Sequence, residues 1–194
     1  METLSSQKDV PVSPLPQATR PLVIPSGYSL KSIVPRSHNG RRINVYRYEK
    51  ANGENGGLGG EHYSFSVDAV GGELLGLMWM DARFASGELL SEEAAADAAI
   101  HFLSRMAGDL LPELEVLWIR EHKETIAADG RKVRIPGMKY KAYRRSRGDY
   151  AWVIVGSGGD VITFERDILW RGVRLTEKWL HDEYCAKHDK GPRR

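Results

Sequence analysis

One long helical stretch set among alternating runs constrains this chain more than any other feature. In SGELLSEEAAADAAIHFLSRMAGDLLP, residues 86–112, Ala95, Ala99, Phe102, Leu103 and Met106 recur at helical spacing and mark one buried face. Ser91 is placed to cap the helix, and Glu92 and Glu93 sit at its positive end. Gly108 and then Pro112 supply the stop signal. The many alanines predict a close approach to a sheet.

The runs on both sides alternate with the period of a strand. RRINVYRYEK sets Ile43, Val45 and a tyrosine ring against polar neighbours, and EHYSFSVDAV places Tyr63, Phe65 and Val67 on one face. ELLGLMWMDARF is more apolar and reads as a more central strand. Between the first two lies ANGENGGLGG, whose glycines predict a mobile hairpin loop. After the helix, ELEVLWIREHKETI puts Leu114, Val116 and Trp118 on one face. RKVRIPGMKYKAYRR is long, and its Pro136-Gly137 step predicts a bulge or an edge strand. DYAWVIVG and DVITFERDILW follow, and RLTEKWLHDEYCAKH predicts a second helix from a Thr176 cap, with Leu180 and Tyr184 on one side. Short turns make neighbours antiparallel. The expected fold is α+β: a curved antiparallel sheet of about six or seven strands on one long helix, with a second C-terminal helix.

The glycines of VIVGSGGDVITFE, residues 153–165, raise the prospect of a phosphate cradle. A phosphate loop needs a lysine and then a helix; a strand follows here, so the stretch reads as a hairpin. It brings Trp152 and Trp170 into the same half of the domain.

Six of the nine prolines (Pro11, Pro14, Pro16, Pro21, Pro25 and Pro35) fall near the start. Residues 1–38 therefore read as a flexible or extended arm, and 39–190 as a single α+β domain. The lone Cys185 excludes an internal disulfide. No run nears the ~18 apolar residues of a membrane span. METLSSQKDV has no apolar core of a signal peptide, which favours a cytoplasmic setting. Lys plus Arg is 28 and Asp plus Glu 26, so the net charge of +2 selects no partner by itself.

His181, Cys185 and His188 share one helical face and carry zinc-ligating atoms, but one helix rarely completes a site and no second ligand cluster is evident. Glu93, Asp97 and His101 form a stripe away from the apolar face, which reads as solvated. No nucleophile elbow or other catalytic constellation stands out, and no cofactor is implied.

RKVRIPGMKYKAYRRSR holds Arg131, Lys132, Arg134, Lys139, Lys141, Arg144, Arg145 and Arg147, with Tyr140 and Tyr143 interleaved and no acid. Such a surface suits phosphates and stacked bases, or an acidic protein. A charged edge strand that resists edge-to-edge pairing has the same composition.

FSVDAVGGELLGLMWMDARFASGELLSEEAAADAAIHFL reads as strand, Gly-Gly turn, strand and a Ser-Glu-Glu-Ala helix start. With VIVGSGGDVITFERDILW as its second half, the unit over residues 61–170 resembles PepSY-type domains. The resemblance implies an extracytoplasmic module that binds or inhibits peptidases or mediates interactions, with no catalytic residues to carry over.

The expected function is a non-enzymatic protein-binding module, regulatory or inhibitory, acting through its sheet surface. Its partner-binding candidates are Lys139, Tyr140, Lys141, Tyr143, Arg144, Arg145, Arg147 and Trp170. Nucleic-acid binding through residues 131–147 is the alternative, and a small-molecule or enzymatic site between helix and sheet is the third.

Overall fold

Short turns between alternating runs bring consecutive strands back beside one another, so the chain builds up its sheet by meandering. The computed structural model describes residues 22–189. Four strands precede the long helix: β1 (Tyr28–His38), β2 (Arg41–Lys50), β3 (His62–Asp68) and β4 (Leu74–Met80). The helix α1 spans Glu92–Met106. Four more strands follow: β5 (Leu114–Ala128), β6 (Arg131–Arg144), β7 (Asp149–Val155) and β8 (Val161–Ile168). A two-stranded ribbon, β9 (Trp170–Arg171) and β10 (Val173–Arg174), and a short α2 (Asp182–His188) complete the described chain. No helix among the described residues is long and apolar enough to cross a membrane.

All eight long strands form one antiparallel sheet in the order β1-β2-β3-β4-β8-β7-β6-β5. Two four-stranded meanders thus meet where β4 pairs β8, with Leu77 opposite Phe164. The α+β class and the antiparallel sheet agree with the sequence reading. The additional strand is β1, which lies inside the stretch read as an arm. Tyr28–His38 pairs with β2 from Tyr28 opposite Lys50 to His38 opposite Arg41. The remainder of the expected arm, residues 1–21, lies outside the described residues.

The sheet buries both faces. On the helix face, Tyr46, Phe65, Val67, Tyr140, Val153 and Phe164 pack with Ala99 and Leu103 of α1. On the far face, Ile43, Val45, Met78, Trp152, Ile154 and Ile162 pack with Leu180 from the C-terminal segment. The tyrosines of β2 therefore point away from Ile43 and Val45, because successive side chains leave opposite faces. In α1, Ser91 Oγ accepts from Ala94 N at 3.2 Å, so the cap sits where the sequence places it.

Several local readings change. β6 is an interior strand, and the edge is β5. Pro136 sits opposite Lys123, in the part of β6 that runs past β7 and pairs on one side only, where a missing N–H does least harm. The bulge lies instead in β5, between Val116 and Trp118. Gly137 is needed for room: a Cβ there would meet Ile154 Cγ2 at 2.6 Å. The glycine-rich 51–60 loop is tied down, with Gly59 O accepting from Ala127 N at 2.7 Å and Gly59 N donating to Asp182 at 2.6 Å. Residues 156–160 turn the β7–β8 hairpin, closed by Gly156 N donating to Asp160 O at 2.8 Å.

The second helix starts later than expected. Thr176 is no cap; its hydroxyl accepts from Leu169 N and donates to Asn39 Oδ1, both at 2.8 Å. The chain up to His181 is used to cover the far face. Trp179 Nε1 donates to Ser37 O at 2.9 Å, and Leu180 packs on Gly76, where a Cβ would come 2.7 Å from Leu180 Cδ1.

Candidate functional site

Alternation along β6 and β7 decides which groups meet on the far face. Lys139, Lys141 and Tyr143 of β6 face the same way as Tyr150 and Trp152 of β7, their cross-strand neighbours. The C-terminal segment then folds over them, adding Trp170, Arg174, Lys178 and His181. Between this cover and the sheet lies a cavity of about 160 Å³, lined also by His122, Glu124, Ile154, Thr163 and Glu165.

Glu165 is the anchor of the cavity floor. Arg174 grips it with both terminal nitrogens, at 2.6 and 3.0 Å. Trp152 Nε1 donates to it at 3.0 Å, and His181 Nε2 lies 3.2 Å away. Burial alone would raise its carboxyl pKa, yet Arg174 and His181 hold it well below the usual range. Glu124 is matched by His122 at 2.8 Å. Lys139 is different: its ammonium lies 4.1 Å from the Trp152 ring centre and finds no ion pair or hydrogen bond among the described residues. Burial pushes it down to about 8. Thr163 Oγ1 is likewise buried without a partner among the described residues.

Beside the cavity, towards the open corner of the sheet, Lys141 stands among three rings. Its nitrogen is 4.9 Å from Tyr150, 5.4 Å from Trp118 and 5.6 Å from Trp170. Tyr143 packs on Tyr150 with ring centres 5.0 Å apart. Trp170 is 46% exposed, and Val116, Leu117, Leu169, Val173 and Leu175 are exposed nearby in the chain on β5 and the ribbon.

Half of the expected partner-binding residues come together here: Lys139, Lys141, Tyr143 and Trp170. The others do not join them. Tyr140 points to the helix face and is 4% exposed, within the core. Arg144 also turns that way and is 2% exposed, held by Asp149 at 2.6 and 2.9 Å and by Asp167 at 2.6 Å. Arg145 is exposed and pairs with Glu115 at 2.9 Å, and Arg147 sits in the β6–β7 turn.

Glu165, Arg174, His122 and Glu124 belong to the far-face site and carry no sequence expectation; Trp118, expected on one face with Leu114 and Val116, is turned to the far face by the β5 bulge. The available signal was Glu165 itself, an acid whose alternation along VITFERDIL places it on a buried face of the strand. An acid at an inward position of a strand needs a buried cation, and Arg174 is the third arginine downstream, on the covering segment.

The low-ranked metal trio separates. His181 turns to Glu165, Cys185 Sγ donates to Trp179 O at 3.3 Å, and His188 stacks on Tyr184 at 3.9 Å. No cluster of metal-ligating side chains occurs among the described residues. Ser64, His62 and Asp182 form a row, with Ser64 Oγ 2.8 Å from His62 Nδ1. Yet Ser64 is 2% exposed, and Asp182 stands 3.8 Å from His62 Nε2 because Arg47 and Gly59 hold it. Burial, then Arg47, lowers the His62 pKa to about 4. His62 is a buried imidazole, neutral near pH 7, on the wall of a cavity of about 250 Å³. Between α1 and the sheet lies a larger cavity of about 390 Å³, walled chiefly by Tyr63, Leu77, Trp79, Phe102 and Met106. No protein-family model, curated protein or solved structure matches the chain.

Proposed function

We propose that this chain is a non-enzymatic binding module that takes an acidic, aromatic- or aliphatic-containing segment of a partner protein on the corner formed by β5, β6 and the β9–β10 ribbon. The observation that carries this reading is Lys141 framed by Trp118, Tyr150 and Trp170, with no ion-pairing carboxylate among the described residues. One exposed and two half-buried aromatic rings around a cation have the composition of an interface hot spot. The exposed Val173 and Leu175 extend the apolar surface beyond the rings. Lys139, Arg120 and Arg171 make the surroundings basic, so an acidic segment is the complementary partner. The PepSY-like resemblance of residues 61–170 points to the same kind of role. Nucleic acid is disfavoured because the basic stretch is not a continuous track: Arg144 is buried and Arg145 is paired.

The test is fluorescence polarisation with a panel of acidic, neutral and basic peptides, each containing a Trp or Leu. Acidic peptides should bind, and Trp170→Ala with Lys141→Glu should weaken them about tenfold or more. Equal binding by the double variant overturns the reading. So does preferential, steeply salt-dependent binding of single-stranded DNA or RNA.

A further inference from the structure

The far-face cavity holds unmatched polar groups of one kind only. Its two acids are already answered, Glu165 by Arg174, Trp152 and His181, and Glu124 by His122. Its lysines Lys139 and Lys178 and its hydroxyl Thr163 Oγ1 find no ion pair or side-chain hydrogen bond among the described residues. Thr163 is 1% exposed, so its hydroxyl lies beneath the cavity wall and the lysines are the groups a ligand can meet. A partly desolvated ammonium stabilises an acceptor placed beside it. The Lys139 ammonium lies 4.1 Å from the Trp152 ring centre, so an acid bound there also lies beside that ring. Trp152 and Trp170 also line the cavity. They offer apolar surface to a carbon skeleton.

We propose that this cavity is a binding site for a small organic monocarboxylate, its charged end at Lys139 Nζ and its carbon body against Trp152 and Trp170. The volume of about 160 Å³ admits a molecule of several heavy atoms and excludes a nucleotide or a peptide. Phosphate fits less well, because the guanidinium that would clamp it, Arg174, is already committed to Glu165. The site stands on residues of the cavity floor and does not require the protein partner.

The experiment is a titration of the full chain with acetate, benzoate and phenylacetate, followed by tryptophan fluorescence and calorimetry. Benzamide, the uncharged counterpart of benzoate, and inorganic phosphate are the controls. Benzoate or phenylacetate should bind saturably, and at least tenfold more tightly than benzamide or phosphate. Lys139→Met should abolish that preference, and Lys139→Gln should do the same if the first variant folds poorly. Arg145→Gln, whose side chain pairs with Glu115 outside this cavity, should leave it intact. Three results would each overturn the assignment: no saturable binding by any of the three acids, equal binding of benzoate and benzamide, or superimposable titrations for the parent chain and a folded Lys139 variant.

Discussion

Arg144 and Lys139 belong to the same strand and are both drawn out of water, yet their surroundings are opposite in kind. Arg144 turns to the helix face and meets Asp149 and Asp167; Asp167 is shared in turn with Arg41 and Arg166. Arg166 reaches on to Asp109 and Glu73. Each charge in that cluster has a partner. Lys139 turns to the far face, where the neighbouring acids already belong to Arg174 and His122. A closed polar cluster fastens β6, β7 and β8 together. An open one leaves valence for something outside the chain, and that contrast locates the candidate site here.

The largest effect should come from opening the closed cluster. Arg144→Met leaves the buried Asp149 without its cation and Asp167 with Arg41 and Arg166 only, and urea unfolding should show a loss of about 3–5 kcal/mol. Acid should find the buried groups next. His62, at about 4 in the folded chain, stays neutral while the unfolded chain takes up a proton near 6.5. Stability is then complete above about pH 6.5 and falls by roughly 3 kcal/mol as the pH drops towards 4. His62→Gln should flatten that part of the profile. Below it, Glu165 and Asp167, both held below their ordinary values, should give a second loss once their carboxylates are protonated.

Smaller effects sharpen the contrast. Gly137→Ala drives a Cβ against Ile154 and Ile162 and should cost about 1–3 kcal/mol, with Ile154 pushed towards the cavity. Trp170→Ala should change stability by no more than about 0.5 kcal/mol, since the ring is half exposed, while binding at the corner falls. A loss of stability as large as that of Arg144→Met would mean that the ribbon is part of the scaffold.

Much of the architecture was legible because it rests on local pattern. The Ser91 cap, the alanine face of α1, the alternation of Tyr63, Phe65 and Val67, and the β7–β8 hairpin are each written within a few residues. What was hidden depends on residues distant in the chain. β1 looks like an arm because Pro35 and polar residues interrupt its pattern, and it is held by pairing to β2 and by Trp179 reaching Ser37. The C-terminal helix was read as too long because Thr176, Trp179 and Leu180 spend their side chains on the sheet. On β6 the chain of basic residues was plain, but which of them face outward depends on a burial of both sheet faces that no single strand reveals. Tyr140 and Arg144 go to one side, Lys139, Lys141 and Tyr143 to the other. Glu165 and Arg174 could be paired only once the ribbon was seen to fold back over β8.

The most direct test of the contrast is the unfolding free energy of Arg144→Met and Lys139→Met measured side by side at pH 7. The account predicts a loss of about 3–5 kcal/mol for Arg144→Met, chiefly from the stranded Asp149. For Lys139→Met it predicts no loss or a gain, because the folded chain shelters that ammonium without answering it. Comparable losses in both variants would contradict it, showing that Lys139 is matched within its own chain.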